Sequence, residues 1–310
     1  MTTTPSWRPL SGLDAAELGE ARLQAHYAVQ WLARLARAAV PAQPDDSHTS
    51  LGWDDQLDGF VTHPLRDGAR LGLRLRDLTL TAAGGKAGRP GRIFSLIGRS
   101  DSEAHEWIGL AFAPSRLDVQ GLDAPSPYAM PPHAIAQGGR YGGADIGAAL
   151  GELAAWFANG RTAVETVRRA MLGRDHGAPA PRCWPHHFDL ATLTSFPLPR
   201  RATTAYVGVG LSPGDRYYRE PYFYLSVYPA PDPSALPPLP PLGHWHVEDF
   251  TGAVATATAI LATARPEAET DEFLAAAPAA KAAGTPATAR CAASASASRW
   301  NSPCSATVAA

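Results

Sequence analysis

Twice along this chain the spacing of apolar residues changes from the period of a helix to that of a strand. Leu13, Leu18, Leu23, Tyr27, Val29, Trp31, Leu32 and Leu35 recur at helical intervals and predict a helix from about Leu13 to Ala39. Ser11 and Asp14 resemble a capping box with Asp in place of Glu, and Pro41 and Pro44 mark the stop. Leu71, Leu73 and Leu75 then alternate with Gly72, Arg74 and Arg76, and Leu78 and Leu80 continue that strand after a bulge at Asp77. Ala82 to Gly91 reads as a hairpin loop. Ile93 to Ile97 and Trp107 to Ala113 read as two further strands, joined by a polar turn from Asp101 to Glu106.

The second cycle follows a Pro- and Gly-rich crossing from Gly121 to Gly143. A helix is expected from about Asp145 to Leu172, with Asn159 and Gly160 dividing it and Thr162 capping the second piece. Phe188 to Phe196, Ala205 to Leu211, Tyr222 to Tyr228 and His244 to Phe250 have strand composition. A helix from Gly252 to Ala264 and another from Glu267 to Leu274 complete the ordered part. Short strand connections imply antiparallel pairing, so the expected class is α+β, with antiparallel sheets and long helices packed on one face. Residues 1–275 form either one globular domain or two similar halves, 1–143 and 144–275. Residues 276–310, rich in Ala and Ser with Trp300 as the sole large hydrophobe, are expected to be disordered.

Composition excludes several functions. A net charge of −2 and the absence of a clustered Lys/Arg face argue against nucleic acid as a partner. No run approaches the ~18 apolar residues of a membrane span, so no membrane partner is expected. Cys183, Cys291 and Cys304 have neither metal-finger spacing nor an even count. With a polar Met1 to Pro9, they point to a reducing, cytoplasmic location.

Candidate chemistry concentrates between Trp184 and Phe250, which holds four of the ten histidines. On a strand, residues i and i+2 share a face, which pairs His187 with Asp189 and His244 with His246. If those strands are neighbours, the four side chains suit Zn or non-haem Fe, with Glu220 or Asp215 as acid/base on a metal-bound water. That reading is a metal-assisted enzyme acting on a small molecule. The rival is a non-catalytic protein that binds a small ligand or partner through the aromatic face of Tyr222, Tyr224 and Trp245; a purely structural role for all these groups is the third. Gly210-Leu211-Ser212-Pro213-Gly214 matches a hydrolase nucleophile elbow in letters only. The residue after the serine must give its N–H to the oxyanion hole, and Pro213 has none. Gly84-Gly85-Lys86 lacks phosphate-loop spacing. Gly138 to Gly143 precedes a helix and, with Arg140, has the makings of a weak anion site.

Trp184-Pro185-His186-His187-Phe188-Asp189, Ser212-Pro213-Gly214-Asp215, Pro221-Tyr222-Phe223-Tyr224 and Gly243-His244-Trp245-His246 together resemble a bacterial domain family of unknown function. The resemblance spans about Trp184 to Leu261. It implies a bacterial protein of a recurring type and carries no activity with it.

Overall fold

In the computed structural model, the structure describes residues 7–85, 91–115, 118–143, 146–172, 178–197 and 204–276. The class is α+β, with five α-helices and two antiparallel sheets among those residues. The expected tail, except for Ala276, lies outside them.

Helix α1 spans Ala15–Ala39. Its cap is Asp14, whose carboxylate accepts from the Ala16 and Glu17 amides while Glu17 reaches back to the Asp14 amide. The capping box therefore sits three residues beyond the Ser11 reading, because Ser11 is engaged elsewhere. Its amide and hydroxyl both donate to buried Glu152, at 2.7 and 2.6 Å.

The first sheet is a meander ordered β1 (Gly52–Asp54), β2 (Gly59–Val61), β3 (Arg70–Arg74), β4 (Thr79–Ala83), β5 (Arg92–Ser95). The strands β1 and β2 were invisible in the sequence because each is only three residues long. The supposed bulge at Asp77 is a reversal: Leu75–Asp77 is a 3₁₀ turn, Leu78 is left-handed at φ 47°, and Leu80 lies opposite Leu73. Gly59 is required here by space, since a Cβ would lie 1.9 Å from the Leu73 carbonyl oxygen.

The expected strand Trp107 to Ala113 and the turn before it form instead one helix, α2 (Asp101–Phe112). Ser100 and Glu103 make its capping box, and Ala104, Ile108 and Phe112 repeat every four residues on its buried side. A short apolar run fits either period, and the cap decides. Within Gly121 to Gly143, the expected crossing loop, 3₁₀ turns occupy Val119–Asp123 and Ala134–Gln137.

Helix α3 (Ile146–Leu172) is unbroken at Asn159 and Gly160. Asn159 is buried and holds the chain near the N-terminus, accepting from the Arg8 amide and donating to the Arg8 carbonyl. Its polar side chain thus answers a tertiary demand rather than marking a helix end.

The second sheet is ordered β10-β11-β9-β8-β7-β6. Its strands are β6 (Arg182–Trp184), β7 (Asp189–Pro197), β8 (Thr204–Ser212), β9 (Tyr222–Tyr228), β10 (His244–His246) and β11 (Gly252–Thr256). The expected helix at Gly252 is therefore a strand over its first five residues, paired with β9 and β10. Thr256 then caps the short α4 (Ala257–Leu261), and α5 covers Pro266–Leu274.

Contacts divide the chain into two compact units. The first comprises Met1–Thr162, Pro181–Leu190 and Ser212–Pro221. Its core includes an aromatic cluster of Phe60, Phe157 and Phe188, with Phe157 ring centroids 5.0 Å from each of the other two. The second comprises Ala163–Ala180, Ala191–Leu211 and Tyr222–Ala310. There Tyr224 fills the space over Gly210, where a Cβ would lie 2.6 Å from its ring, and Phe273 does the same over Gly243 at 2.4 Å.

Candidate functional site

The Trp184-to-Asp189 motif is a tight turn between β6 and β7 rather than the start of a strand. The Phe188 amide donates to the Trp184 carbonyl at 2.8 Å, and Phe188 itself is left-handed at φ 59°. A bulky residue rarely adopts that conformation, at a cost of about 1–2 kcal/mol, and here burial in the aromatic cluster holds it. The left-handed residue breaks strand alternation, so His187 and Asp189 do not share a strand face.

Helix α1 fixes the turn from the other side. The Pro185 carbonyl accepts from Nε2 of His26 and from Nε2 of Gln30, both at 2.8 Å, and Gln30 in turn accepts from the Tyr128 hydroxyl. A carbonyl acceptor requires the proton on Nε2, which fixes the His26 tautomer. The His26 ring stacks on Phe188 with centroids 5.3 Å apart, and the His186 and His187 rings lie 4.1 Å apart. Burial is the main cause that pushes all three imidazoles down to about 4; His187, Arg22 and His186 lower His26 further, and His187 lowers His186 further. All three are therefore neutral at pH 7.

Ser212, Pro213, Gly214 and Asp215 form the turn expected from their composition. The Asp215 carboxylate accepts from the Tyr217 and Tyr218 amides, and the Asp215 amide donates to the Tyr218 carbonyl. Gly214 has φ 106°, and a Cβ there would lie 2.5 Å from Nη1 of Arg22. The glycine therefore permits both the turn and the approach of the guanidinium.

Arg22 lies where these segments meet. Burial pulls its guanidinium below the ordinary range, and the Asp215 carboxylate partly offsets this. The same carboxylate acts on His187, opposing the effect of burial. Nη1 of Arg22 and Nε2 of His187 are both buried without a hydrogen-bond partner. On the outer side, Asp14, Ala15, Ala16, Gly19, Arg22, Asp215, Arg216 and Arg219 line an open cleft of about 790 Å³. Arg216 packs its guanidinium over the Tyr217 ring, 4.6 Å from the centroid, and also bonds the Tyr217 hydroxyl. Arg219 is exposed and makes no ion pair among the described residues.

The other expected site residues lie elsewhere. Strands β8, β9 and β11 separate β7 from β10, so the adjacency needed for a His187, Asp189, His244 and His246 metal centre is absent. Among the described residues no group of three or more His, Cys, Asp or Glu side chains is arranged to hold a metal ion. His246 instead stacks on Phe250 with centroids 4.1 Å apart, and its Nε2 bonds the Glu248 carbonyl. His244 sits at the outer end of the same edge strand. Tyr222 and Tyr224 are 2% and 7% exposed, so they are core side chains and not an open aromatic wall. Trp245 donates its indole N–H to the Pro237 carbonyl, tying down the proline-rich crossing. Glu220 is half-buried at the end of the segment that carries Asp215.

Of the expected acid and base residues, Asp215 alone lines the cleft. Sequence reading missed Arg22, His26, Arg216 and Arg219. One signal was present: Gly19, Arg22, His26 and Gln30 follow the 3–4 spacing of one helix face, an unusual run of polar and small residues on a face that packs inward. No protein-family model, curated protein or solved structure matches this chain.

Proposed function

We propose that this protein binds a small anionic molecule in the cleft between the first two turns of α1 and the Ser212–Pro221 segment. Arg22, Arg216 and Arg219 supply the cationic receptors. Asp215 supplies one acceptor among them, which favours ligands that carry a hydrogen-bond donor beside a carboxylate or phosphate. The observation that carries this reading is the Arg22 guanidinium, with a buried and unpartnered Nη1, on the wall of a cleft that two further arginines line. A buried guanidinium N–H left without an acceptor is costly, and a bound oxyanion that pairs with the same guanidinium offsets that cost.

The test is a thermal-melt panel of small carboxylates and phosphate monoesters at matched ionic strength. A ligand at 100 times its Kd stabilises by about 2.7 kcal/mol, which raises Tm by roughly 4–5 °C in a chain of this size. Arg219→Gln, an exposed and structurally harmless change, removes that response. If no compound moves Tm more than sodium chloride does, or if Arg219→Gln responds as the wild type, the reading fails.

A further inference from the structure

Between β9 and β10, within the second unit, the chain reads Leu236-Pro237-Pro238-Leu239-Pro240-Pro241-Leu242. A leucine and two prolines are repeated and closed by a third leucine. Each proline ring fixes φ at about −65°, and the residue before a proline is pushed to an extended ψ. Leu236, Pro237, Leu239 and Pro240 all precede a proline, so local sterics favour a polyproline II helix here. Leu236 has φ −69° and ψ 132°, close to the polyproline II values of about −75° and 145°. Residues 236–240 belong to no α-helix or strand, and the Gly243 amide closes the run by donating to the Pro240 carbonyl at 2.9 Å.

Such a helix has about three residues per turn, so residues three apart share an edge. Leu236, Leu239 and Leu242 make the inward edge. Leu242 is buried, and Leu239 and Phe273 both approach the point where a Gly243 side chain would stand. Pro237 and Pro240 make the second edge, and the Pro237 carbonyl accepts from the Trp245 indole N–H at 2.8 Å. Pro238 and Pro241 make the third, and both are exposed. The leucines and Trp245 therefore hold the backbone, and one edge of proline rings faces solvent.

Two properties decide what can cover that edge. Proline rings present flat apolar faces beside backbone carbonyls and bring no N–H of their own. A groove between aromatic side chains matches them, the rings packing on the prolines and an indole or phenol donating to a carbonyl. The ridge is already formed and pinned, so binding has little new backbone to order. The second property is charge. Between Arg219 and Arg265 the chain has no lysine or arginine. Exposed Asp232 caps the 3₁₀ turn that leads into the ridge, and exposed Glu248 and Asp249 follow shortly after Trp245. An acidic surround of this kind complements a basic rim.

We propose that Pro238 and Pro241 form a docking ridge for a protein domain whose groove is lined by tyrosine and tryptophan rings and rimmed by lysine or arginine. The ridge is independent of the Arg22 cleft and of any ligand bound there.

The probe is an isotope-labelled WW domain with lysine and arginine at its groove rim, titrated with the unlabelled full-length protein and followed by NMR. The expected result is a saturable shift of the groove tyrosine and tryptophan signals. Pro238→Ala combined with Pro241→Ala weakens binding by about tenfold or more, and both side chains are exposed, so the fold survives. A synthetic peptide spanning Ala235 to Gly243 displaces the full-length protein, which tests the same surface without a variant. Asp232→Asn combined with Glu248→Gln keeps the cap and the shape but weakens binding, and it has no effect on a WW domain whose rim is changed to glutamine. Groove signals unmoved at about 1 mM protein overturn the proposal. So does a double proline variant that binds as the wild type does, or a peptide that fails to displace the protein. A charge variant that binds the basic-rimmed domain as tightly as the wild type overturns the assignment of a basic partner.

Discussion

Acidification should unfold this protein through His26. In the folded state burial holds the imidazole down to about 4, against an ordinary value of 6.5. The unfolded chain therefore takes up a proton between pH 6.5 and 4 while the folded chain refuses it. Stability from this group is complete above pH 6.5 and declines as the pH falls towards 4. At 1.36 kcal/mol per pH unit, His26 alone removes about 2–3 kcal/mol between pH 7.5 and 4.5. That is a large part of a typical 5–15 kcal/mol total. His186 and His187 carry the same shift, so the wild-type curve is steeper than one imidazole gives. The assay is urea unfolding at pH 7.5, 6.5, 5.5 and 4.5 on wild type and His26→Gln. Glutamine can still donate to the Pro185 carbonyl but does not titrate, so the difference between the two proteins isolates His26. That difference should shrink by about 2–3 kcal/mol from pH 7.5 to 4.5. A difference that stays constant across the range would refute the claim that His26 is buried neutral.

Three structural predictions accompany it. Asp14→Ala removes the N-terminal cap of α1 and should cost about 1 kcal/mol in chemical denaturation, with no effect on the urea m-value. Gly214→Ala places a Cβ against Arg22 and strains a backbone at φ 106°, costing about 1–3 kcal/mol; a loss below about 0.5 kcal/mol would mean the turn relaxes freely. Glu152→Gln leaves its geometry but removes the charge that accepts from the Ser11 amide and hydroxyl. Unfolding should become easier by about 1–3 kcal/mol, and a neutral result would show that Ser11 finds another acceptor.

Much of the site lay in residues whose types were readable and whose neighbours were not. The turn at Ser212 to Asp215 follows from Pro-Gly-Asp chemistry, and the unsuitability of Pro213 for an oxyanion hole follows from its missing N–H. The histidine pairing failed because it depended on strand adjacency. His187 sits in a turn closed by a left-handed Phe188, a conformation that no local preference of phenylalanine suggests. Arg22 and Asp215 are almost two hundred positions apart, and their meeting leaves no trace in the spacing of either segment.

Local preference and periodicity, which act within a few residues, sufficed for α1, for the extent of α3, for β3, β7, β8 and β9, and for the α+β class. Where a segment suited two periods, the reading from sequence took the wrong one: a turn and strand at 101–113, and a helix from 252. A capping box decided the first and pairing to β9 and β10 the second. Sheet order, the burial of Tyr222 and Tyr224, and the meeting of Arg22 with the Asp215 turn were decided by tertiary packing alone. Those outcomes depend on which distant segments exclude water together, and burial of that kind is a property of the folded whole.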